Sequence, residues 1–212
     1  MRRVDATMPM LRTPVDELAA RLYRQYPRDV GVFCAYLLNY VTLSPGEALY
    51  MGANEPHAYL SGECAEIMAC SDNVIRAGCT AKYKDVSTLV ECLTYSHGAP
   101  ELIAPQPIAP NVSRYTPPDP TDEFMLDRMV LPAGEGATLP PVPSVSIVLV
   151  AAGVGSLEEQ CDGGFLSDAD AAQSGLQQYV RAGKAFVVLP GLQLRVKATE
   201  PLLIFRGCAK HV

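Results

Sequence analysis

Prolines divide the sequence into two stretches that have the rhythm of short β-strands. Proline fixes its own backbone angle and lacks an amide donor, so a dense run of prolines interrupts regular structure. Seven of the chain's 18 prolines lie within residues 96–122, at Pro100, Pro105, Pro107, Pro110, Pro117, Pro118 and Pro120. This segment therefore predicts an ordered connection or linker, with one folded region before it and another after it.

The region before the prolines, from 31 to about 95, alternates apolar runs with turn residues. Apolar runs bounded by Gly, Pro and Asn predict short strands joined by tight turns. In chain order the pattern predicts a buried strand at 32–43, a turn at 44–47, a strand at 48–51, a turn at 52–57 and a strand at 58–62. Short strands at such close intervals are typical of an antiparallel barrel or jelly roll.

A second β-rich region is predicted from about residue 123 to the end of the sequence. Its best strands are SVSIVLVAAG (144–153), KAFVVLPG (184–191), LQLRVKA (192–198) and LLIFRG (202–207). The stretch 156–182 is polar and rich in Gly, Asp and Gln, and is predicted to form loops. Both regions together predict a mainly β protein.

Helix signals are confined to two places. Thr13 can cap a helix over 14–26, with Pro14 in the first turn, and Pro27 ends it. The apolar stripe of this helix needs a partner, so we expect 1–30 to be the end of a larger helical unit. A second, short helix is expected over 86–95, with Ser87 as its cap.

Composition limits the possible functions and locations. The net charge of -6 and the pI of about 5.1 offer no electrostatic basis for binding nucleic acid. No segment approaches the ~18 apolar residues of a membrane span, and the first residues do not resemble a signal peptide. Seven cysteines without a C-x-x-C pair indicate free thiols in a reducing compartment. We therefore expect a soluble, cytosolic protein with no nucleic-acid or membrane partner.

His57 is the most informative of the three histidines. It follows a Gly/Asn/Pro turn at the start of a predicted strand, where His57 and Tyr59 would project from the same side. A lone histidine is more often a core or surface residue than a metal ligand, so this position alone leaves both interpretations open.

The surrounding sequence carries a more specific signal. PGEALYMGANEPHAYLSGECAEIMACSDNVIRAGCTAKYKDV (45–86) closely resembles the signature region of the type I mannose-6-phosphate isomerases. QYPRDVGVFCAYLLNYVTL (25–43) and TEPLLIFRGCAK (199–210) also resemble that family. The resemblance implies a zinc-dependent aldose–ketose isomerase that interconverts mannose 6-phosphate and fructose 6-phosphate and feeds GDP-mannose synthesis in the cytoplasm.

The resemblance also implies an architecture. It predicts the end of a helical domain in 1–30, part of a catalytic cupin domain in 31–105, and a C-terminal jelly-roll domain in 106–212. The fold class is then mainly β, built from cupin or jelly-roll barrels with a short N-terminal helical remnant. The expected partner is a sugar-phosphate substrate, and the expected oligomeric state is a monomer.

Five residues of this sequence match functional positions of the family. The resemblance implies that His57 is a zinc ligand, that Arg76 belongs to the catalytic site, and that the sugar-phosphate pocket is lined by Tyr59, Glu66 and Lys82. The chemistry suits these types, because an enediolate needs fixed positive charge nearby and a phosphate suits a lysine ammonium. Without the resemblance, Arg76 and Lys82 would be interpreted as solvated charges, Glu66 as a solvated strand face or a cap, and Tyr59 as core.

The sequence departs from the family in its metal ligands. The family takes its other zinc ligands from a Gln-x-His pair and a glutamate upstream, whereas no histidine precedes His57 here. A catalytic zinc normally has about three protein ligands. We therefore expect a truncated chain with an incomplete site for the one zinc of the full-length enzyme. We expect open strand edges, poor solubility alone, and little or no isomerase activity. The alternative is a non-catalytic cupin-derived binding or interaction fragment.

Overall fold

The computed structural model describes residues 13–71, 74–160 and 177–210, and the chain divides into two compact units. Unit 1 comprises Met1–Pro45, Leu49–Glu63 and Cys70–Glu101. Unit 2 comprises Gly46–Ala48, Cys64–Ala69 and Leu102–Val212. The fold is mainly β with short helices, as the sequence predicts. Among the described residues, no helix combines the length and the apolar character needed to cross a bilayer.

In the described part of unit 1, the first helix is α1 (Pro14–Gln25), which confirms the first helix prediction. The Thr13 hydroxyl accepts a hydrogen bond from the Asp16 amide at 3.2 Å, and the Asp16 carboxylate accepts one from the Thr13 amide at 3.0 Å. This reciprocal capping box satisfies two donors that a helix start leaves unpaired. The helix buries Leu18, Ala19 and Ala20.

The prediction of a strand at 32–43 is wrong. A 3-10 helix (Val30–Phe33) continues directly into helix α2 (Cys34–Leu37), and residues 38–47 have no regular structure. A short apolar run carries no periodicity that separates a strand from a buried helix, so the sequence signal was ambiguous. Asp29 favours a helix here, because its side chain caps the helix start by accepting a hydrogen bond from the Gly31 amide at 2.8 Å.

The remaining predictions for unit 1 have mixed outcomes. The turns at 44–47 and 52–57 are present, with Asn54 at a φ of 63°. The strand predicted at 48–51 is shortened to β1 (Ala48–Leu49), and the strand predicted at 58–62 is absent. The short helix is α3 (Val86–Cys92), but its cap is Asp85 rather than Ser87, because the Asp85 carboxylate accepts from the Thr88 amide.

Unit 2 contains two antiparallel sheets. The short strand β2 (Leu102–Ile103) precedes them. The six-stranded sheet has the order β10-β7-β12-β5-β4-β3, and the four-stranded sheet has the order β6-β11-β8-β9. The strands are β3 (Gln106–Ala109), β4 (Val112–Tyr115), β5 (Met125–Leu131), β6 (Gly136–Leu139), β7 (Ser146–Ala152), β8 (Val154–Gln160), β9 (Gln178–Arg181), β10 (Ala185–Val188), β11 (Gln193–Ala198) and β12 (Leu202–Cys208).

The core of unit 2 lies between its two sheets. One cluster of buried side chains contains Val150 and Ile204 from the six-stranded sheet and Leu139 and Val196 from the four-stranded sheet. Exposure alternates along β7, so one face of the strand is buried and the other faces solvent. Unit 2 is therefore a two-layer antiparallel β-sandwich.

Several predictions for unit 2 are confirmed and two need correction. Strands β7, β10, β11 and β12 lie where the sequence places them. The loop predicted at 156–182 is wrong in part, because β8 and β9 occupy its ends, and 161–176 lies outside the described residues. The connection predicted at 96–122 is also wrong in part, because it contains β3 and β4. Pro107 is tolerated because β3 is the edge strand of its sheet, where a missing amide donor is acceptable.

A buried ion cluster crosses the six-stranded sheet. Asp127 of β5 is fully buried and accepts hydrogen bonds from two guanidinium groups. Arg206 of β12 donates to it through Nε at 2.9 Å and through Nη2, while Arg206 Nη1 donates to the Pro140 carbonyl at 2.6 Å. Arg114 of β4 donates through Nε at 2.7 Å, and its hydrogen bond to Asp127 raises the pKa of the Arg114 guanidinium. Because every member has partners, the charge can be buried.

Candidate functional site

His57 lies in unit 1, in a stretch without regular structure that follows the turn at Ala53 and Asn54. Its Nδ1 is 2.9 Å from the Glu55 carbonyl oxygen. A carbonyl oxygen can only accept, so Nδ1 carries the proton and the lone pair of the neutral ring lies on Nε2. This is the arrangement that a metal-ligating histidine usually adopts, with one nitrogen fixed by a backbone carbonyl and the other facing its ligand.

Tyr59 is the neighbour of His57 in this stretch. The two ring centroids are 5.8 Å apart at an interplanar angle of 64°, which is an edge-to-face contact. The rings thus lie on the same side of the chain, as expected, although no strand forms here. Tyr59 is 59% exposed and His57 is also exposed, so both rings are accessible from solvent in unit 1.

The remaining predicted residues differ in their exposure and in the unit to which they belong. Arg76 of unit 1 is half-buried and Lys82 of unit 1 is exposed. Among the described residues, no hydrogen bond or ion pair joins either side chain to His57 or Tyr59. Glu66 is exposed and belongs to unit 2. Their assignment to one site therefore remains a prediction.

Asp29 fixes the segment that carries Arg76 and Lys82. Its carboxylate accepts hydrogen bonds from Lys84 Nζ at 2.8 Å and from the Gly31 amide at 2.8 Å, and the Cys79 backbone also donates to it. At the same place a Cβ on Gly31 would lie 2.6 Å from the Gly78 Cα, so only glycine permits this backbone contact. Asp29 and Lys84 are not among the site residues that the sequence predicts. The available signal was an Asp two residues before a Gly at a helix start.

The Asp29–Lys84 pair predicts a pH dependence of unit 1. The Lys84 hydrogen bond is the main cause that lowers the pKa of Asp29 from 3.8 to about 2, and the carboxylate is largely buried at 9% exposure. A carboxylate whose pKa is lower in the folded state than in the unfolded state stabilises the fold at a pH above its unfolded-state pKa. This stabilisation is lost as the pH falls through the folded-state pKa. We expect unit 1 to lose about 2 kcal/mol of unfolding free energy as the pH falls from about 4 to about 2.

Hydrogen exchange of the Gly31 and Cys79 amides, followed across this pH range, measures the loss. The control is Asp29→Asn, which should remove this component of the pH dependence while leaving the rest of the titration curve. An unchanged pH profile in that variant would contradict the assignment.

The described residues do not make a complete zinc site. They contain no group of three or more His, Cys, Asp or Glu side chains placed to hold a metal ion. A catalytic zinc needs about three protein ligands. His57 has the tautomer of a ligand, but it offers a single nitrogen, so the residues present do not fit the metal on their own.

The chain is similar to known proteins in both sequence and structure. No protein-family model matches the sequence. The chain is 49% identical over 158 residues to mannose-6-phosphate isomerase 1 of Arabidopsis thaliana, which covers 74% of this chain and 36% of that protein. It is 39% identical over 199 residues to mannose-6-phosphate isomerase of Bos taurus, which covers 91% of this chain and 44% of that protein.

The structural comparison gives the class of fold. A crystal structure of a mutant phosphomannose isomerase from Salmonella typhimurium matches with a TM-score of 0.68 and 21% identity, over 98% of this chain and 50% of that chain. The chain thus has the fold of one half of a phosphomannose isomerase. With the sequence matches, the chain is a mannose-6-phosphate isomerase homologue, and it spans less than half the length of these two curated relatives.

Proposed function

We propose that this chain supplies part of an active site that interconverts mannose 6-phosphate and fructose 6-phosphate. The observation that carries the proposal is the 39% identity to the Bos taurus mannose-6-phosphate isomerase over 91% of this chain. Because the chain covers only 44% of that protein, the proposed activity belongs to the whole site rather than to this part of it. We further propose that this polypeptide alone has little or no turnover.

Each candidate residue has a proposed role that its chemistry supports. The isomerisation moves a proton between C1 and C2 of the sugar, and negative charge develops on oxygen in the enediolate. Arg76 is proposed to stabilise that charge, because a guanidinium keeps its charge and offers a fork of donors. Lys82 is proposed to bind the phosphate, with Tyr59 and Glu66 lining the sugar pocket. His57 is proposed as one ligand of zinc, through Nε2.

The domain organisation is part of the same proposal. We assign 1–30 to the end of a helical domain, 31–105 to part of a catalytic cupin domain, and 106–212 to a jelly roll. Helix α1 supports the first assignment, and the two-layer antiparallel sandwich of unit 2 supports the third. A cytoplasmic monomer acting on a sugar phosphate completes the proposal.

The test is zinc content and isomerase turnover of the purified 212-residue chain, with mannose 6-phosphate as substrate and zinc supplied. We expect substoichiometric zinc and no measurable turnover, because His57 alone cannot hold a catalytic ion. Stoichiometric zinc with turnover that disappears in His57→Ala would show that the chain assembles a complete site, and would overturn the proposal that it is inactive alone.

The second candidate is a non-catalytic binding module. The absence of a metal-ligating group among the described residues favours it over autonomous catalysis. Calorimetric titration of the purified chain with mannose 6-phosphate distinguishes the candidates. The binding module is favoured if Lys82→Ala weakens binding and if no preparation shows turnover, even when the unmatched part of the Bos taurus protein is added.

A further inference from the structure

A groove of about 380 Å³ lies on the solvent-facing side of the four-stranded sheet of unit 2. In β11, Leu194 and Val196 belong to the buried core cluster. Side chains alternate between the two faces of a strand, so Arg195 and Lys197 project away from the core. We call this depression the β11 groove, and its polar lining consists of Ser156, Glu158, Gln177, Arg195 and Lys197.

Strand pairing gathers these side chains from separate parts of the sequence. Arg195 of β11 lies opposite Glu158 of β8, and Lys197 lies opposite Ser156. Residues that are directly opposite in an antiparallel pair have Cβ atoms about 5 Å apart. Gly136 of β6 lies opposite Lys197 on its other side and carries no side chain, which leaves room beside the ammonium group. The β11 groove is therefore fixed by the backbone register of three strands.

The two cations of the β11 groove have no protein counterion within the part of the chain that the structure describes. No ion pair found there includes Arg195, Lys197 or Glu158. Like charges two positions apart on one strand face repel each other, and two cations with one carboxylate leave one positive charge in surplus. An anion bound between Arg195 and Lys197 would remove that repulsion.

Ser156 adds a buried hydroxyl group to the β11 groove. The residue is 8% exposed, and its Oγ accepts a hydrogen bond from Gln177 Nε2 at 3.1 Å. A hydroxyl group donates one hydrogen bond as well as accepting, so the Ser156 proton can be donated to a ligand oxygen. A largely buried donor beside two cationic donors suits an oxyanion, because charge-assisted hydrogen bonds to phosphate oxygens are short and strong.

We propose that the β11 groove binds a phosphate monoester that also carries hydroxyl groups. The phosphate accepts hydrogen bonds from Arg195, Lys197 and Ser156, since a guanidinium fork and an ammonium group both suit phosphate oxygens. Glu158 repels a phosphate but accepts a hydrogen bond from a hydroxyl group, so it favours a polyol phosphate over inorganic phosphate. None of these residues belongs to the proposed isomerase site, so the inference goes beyond the proposed function and does not depend on it.

Calorimetric titration of the 212-residue chain with glycerol 3-phosphate tests this proposal. The probe is neither an aldose phosphate nor a ketose phosphate, so isomerase turnover does not contribute to the signal. We expect one saturable site, whose affinity falls about 10-fold or more in Arg195→Ala and in Lys197→Ala, because each variant loses a charge-assisted hydrogen bond. Both side chains are exposed, so neither substitution disturbs the core. The matched control is Lys184→Ala, at an exposed lysine of unit 2 outside the groove, which should leave the affinity unchanged.

Two further variants test the hydroxyl contact and the location of the site. The unsubstituted chain should bind glycerol 3-phosphate more tightly than inorganic phosphate. Glu158→Gln removes a negative charge, so it should strengthen the binding of inorganic phosphate and narrow that difference. Lys82→Ala, at the proposed phosphate ligand of unit 1, should leave glycerol 3-phosphate binding unchanged. The inference is overturned by an absence of saturable binding, by equal affinity for the two probes, by equal effects of Lys184→Ala and Arg195→Ala, or by loss of binding in Lys82→Ala.

Discussion

Replacing Asp127 by Asn is expected to destabilise unit 2 by about 3–5 kcal/mol. The Asp127 carboxylate is fully buried and holds Arg206, which is 1% exposed, together with Arg114. Asparagine preserves the size of the side chain but removes the negative charge, which leaves the buried guanidinium of Arg206 without a counterion. An uncompensated buried charge costs far more than a lost surface ion pair, because water cannot solvate it.

Urea unfolding, monitored by a probe in unit 2, measures this loss. Asp119→Asn is the matched control, since it makes the same chemical change in a different ion pair. Asp119 pairs with Lys210, and the Asp119 side chain is 92% exposed. That variant should change stability by less than about 1 kcal/mol. Equal effects of the two substitutions would mean that burial does not govern the contribution of the Asp127 cluster.

Truncating Ile204 to alanine is expected to cost unit 2 about 2–5 kcal/mol. Ile204 of β12 is fully buried, and β12 pairs with both β5 and β7 in the middle of the six-stranded sheet. Its side chain belongs to the cluster that also contains Val196 of the opposite sheet. Removing three carbon atoms there loses hydrophobic transfer free energy and leaves a cavity between two hydrogen-bonded layers that cannot collapse fully.

The same denaturation experiment applied to Ile147→Ala supplies the comparison. Ile147 lies on β7 in the same sheet but is 58% exposed, so its truncation should cost less than about 1 kcal/mol. A difference of less than about 1 kcal/mol between the two variants would contradict the location of the core between the sheets.

The sequence predicts strands where apolar residues form a run or recur at every second position, and it does not single out β5 and β8. The stretch 144–153 was identified as a strand because its apolar residues are β-branched and closely spaced. Strand β5 was not singled out, because Asp127 and Arg128 interrupt its pattern. The burial of Asp127 depends on Arg206, which lies 79 residues away, and a local pattern cannot report such a partner. Most of strand β8 lies in the predicted loop for the same reason, since Glu158 and Glu159 lie within it.

The candidate site was less accessible to local reasoning than the fold. The position of His57 after a turn was predicted, but its tautomer follows from the Glu55 carbonyl, which only the structure locates. The edge-to-face contact with Tyr59 forms without the strand that was expected to orient both rings. The anchoring of the Arg76 and Lys82 segment by Asp29 joins residues 55 positions apart, and no spacing rule predicts that contact.

The division of the chain into units has a consequence for protease digestion. Unit 2 takes two short pieces, Gly46–Ala48 and Cys64–Ala69, from within the sequence range of unit 1. The Gly46 carbonyl accepts a hydrogen bond from the Tyr115 hydroxyl at 2.6 Å, and the Ile67 side chain lies against Gly207. A single cleavage near residue 102 would therefore separate the β-sandwich from Gly46–Ala48 and Cys64–Ala69. Tyr115 would lose its hydrogen bond to the Gly46 carbonyl, and Gly207 would lose its contact with Ile67. Excising either unit whole would require several cuts.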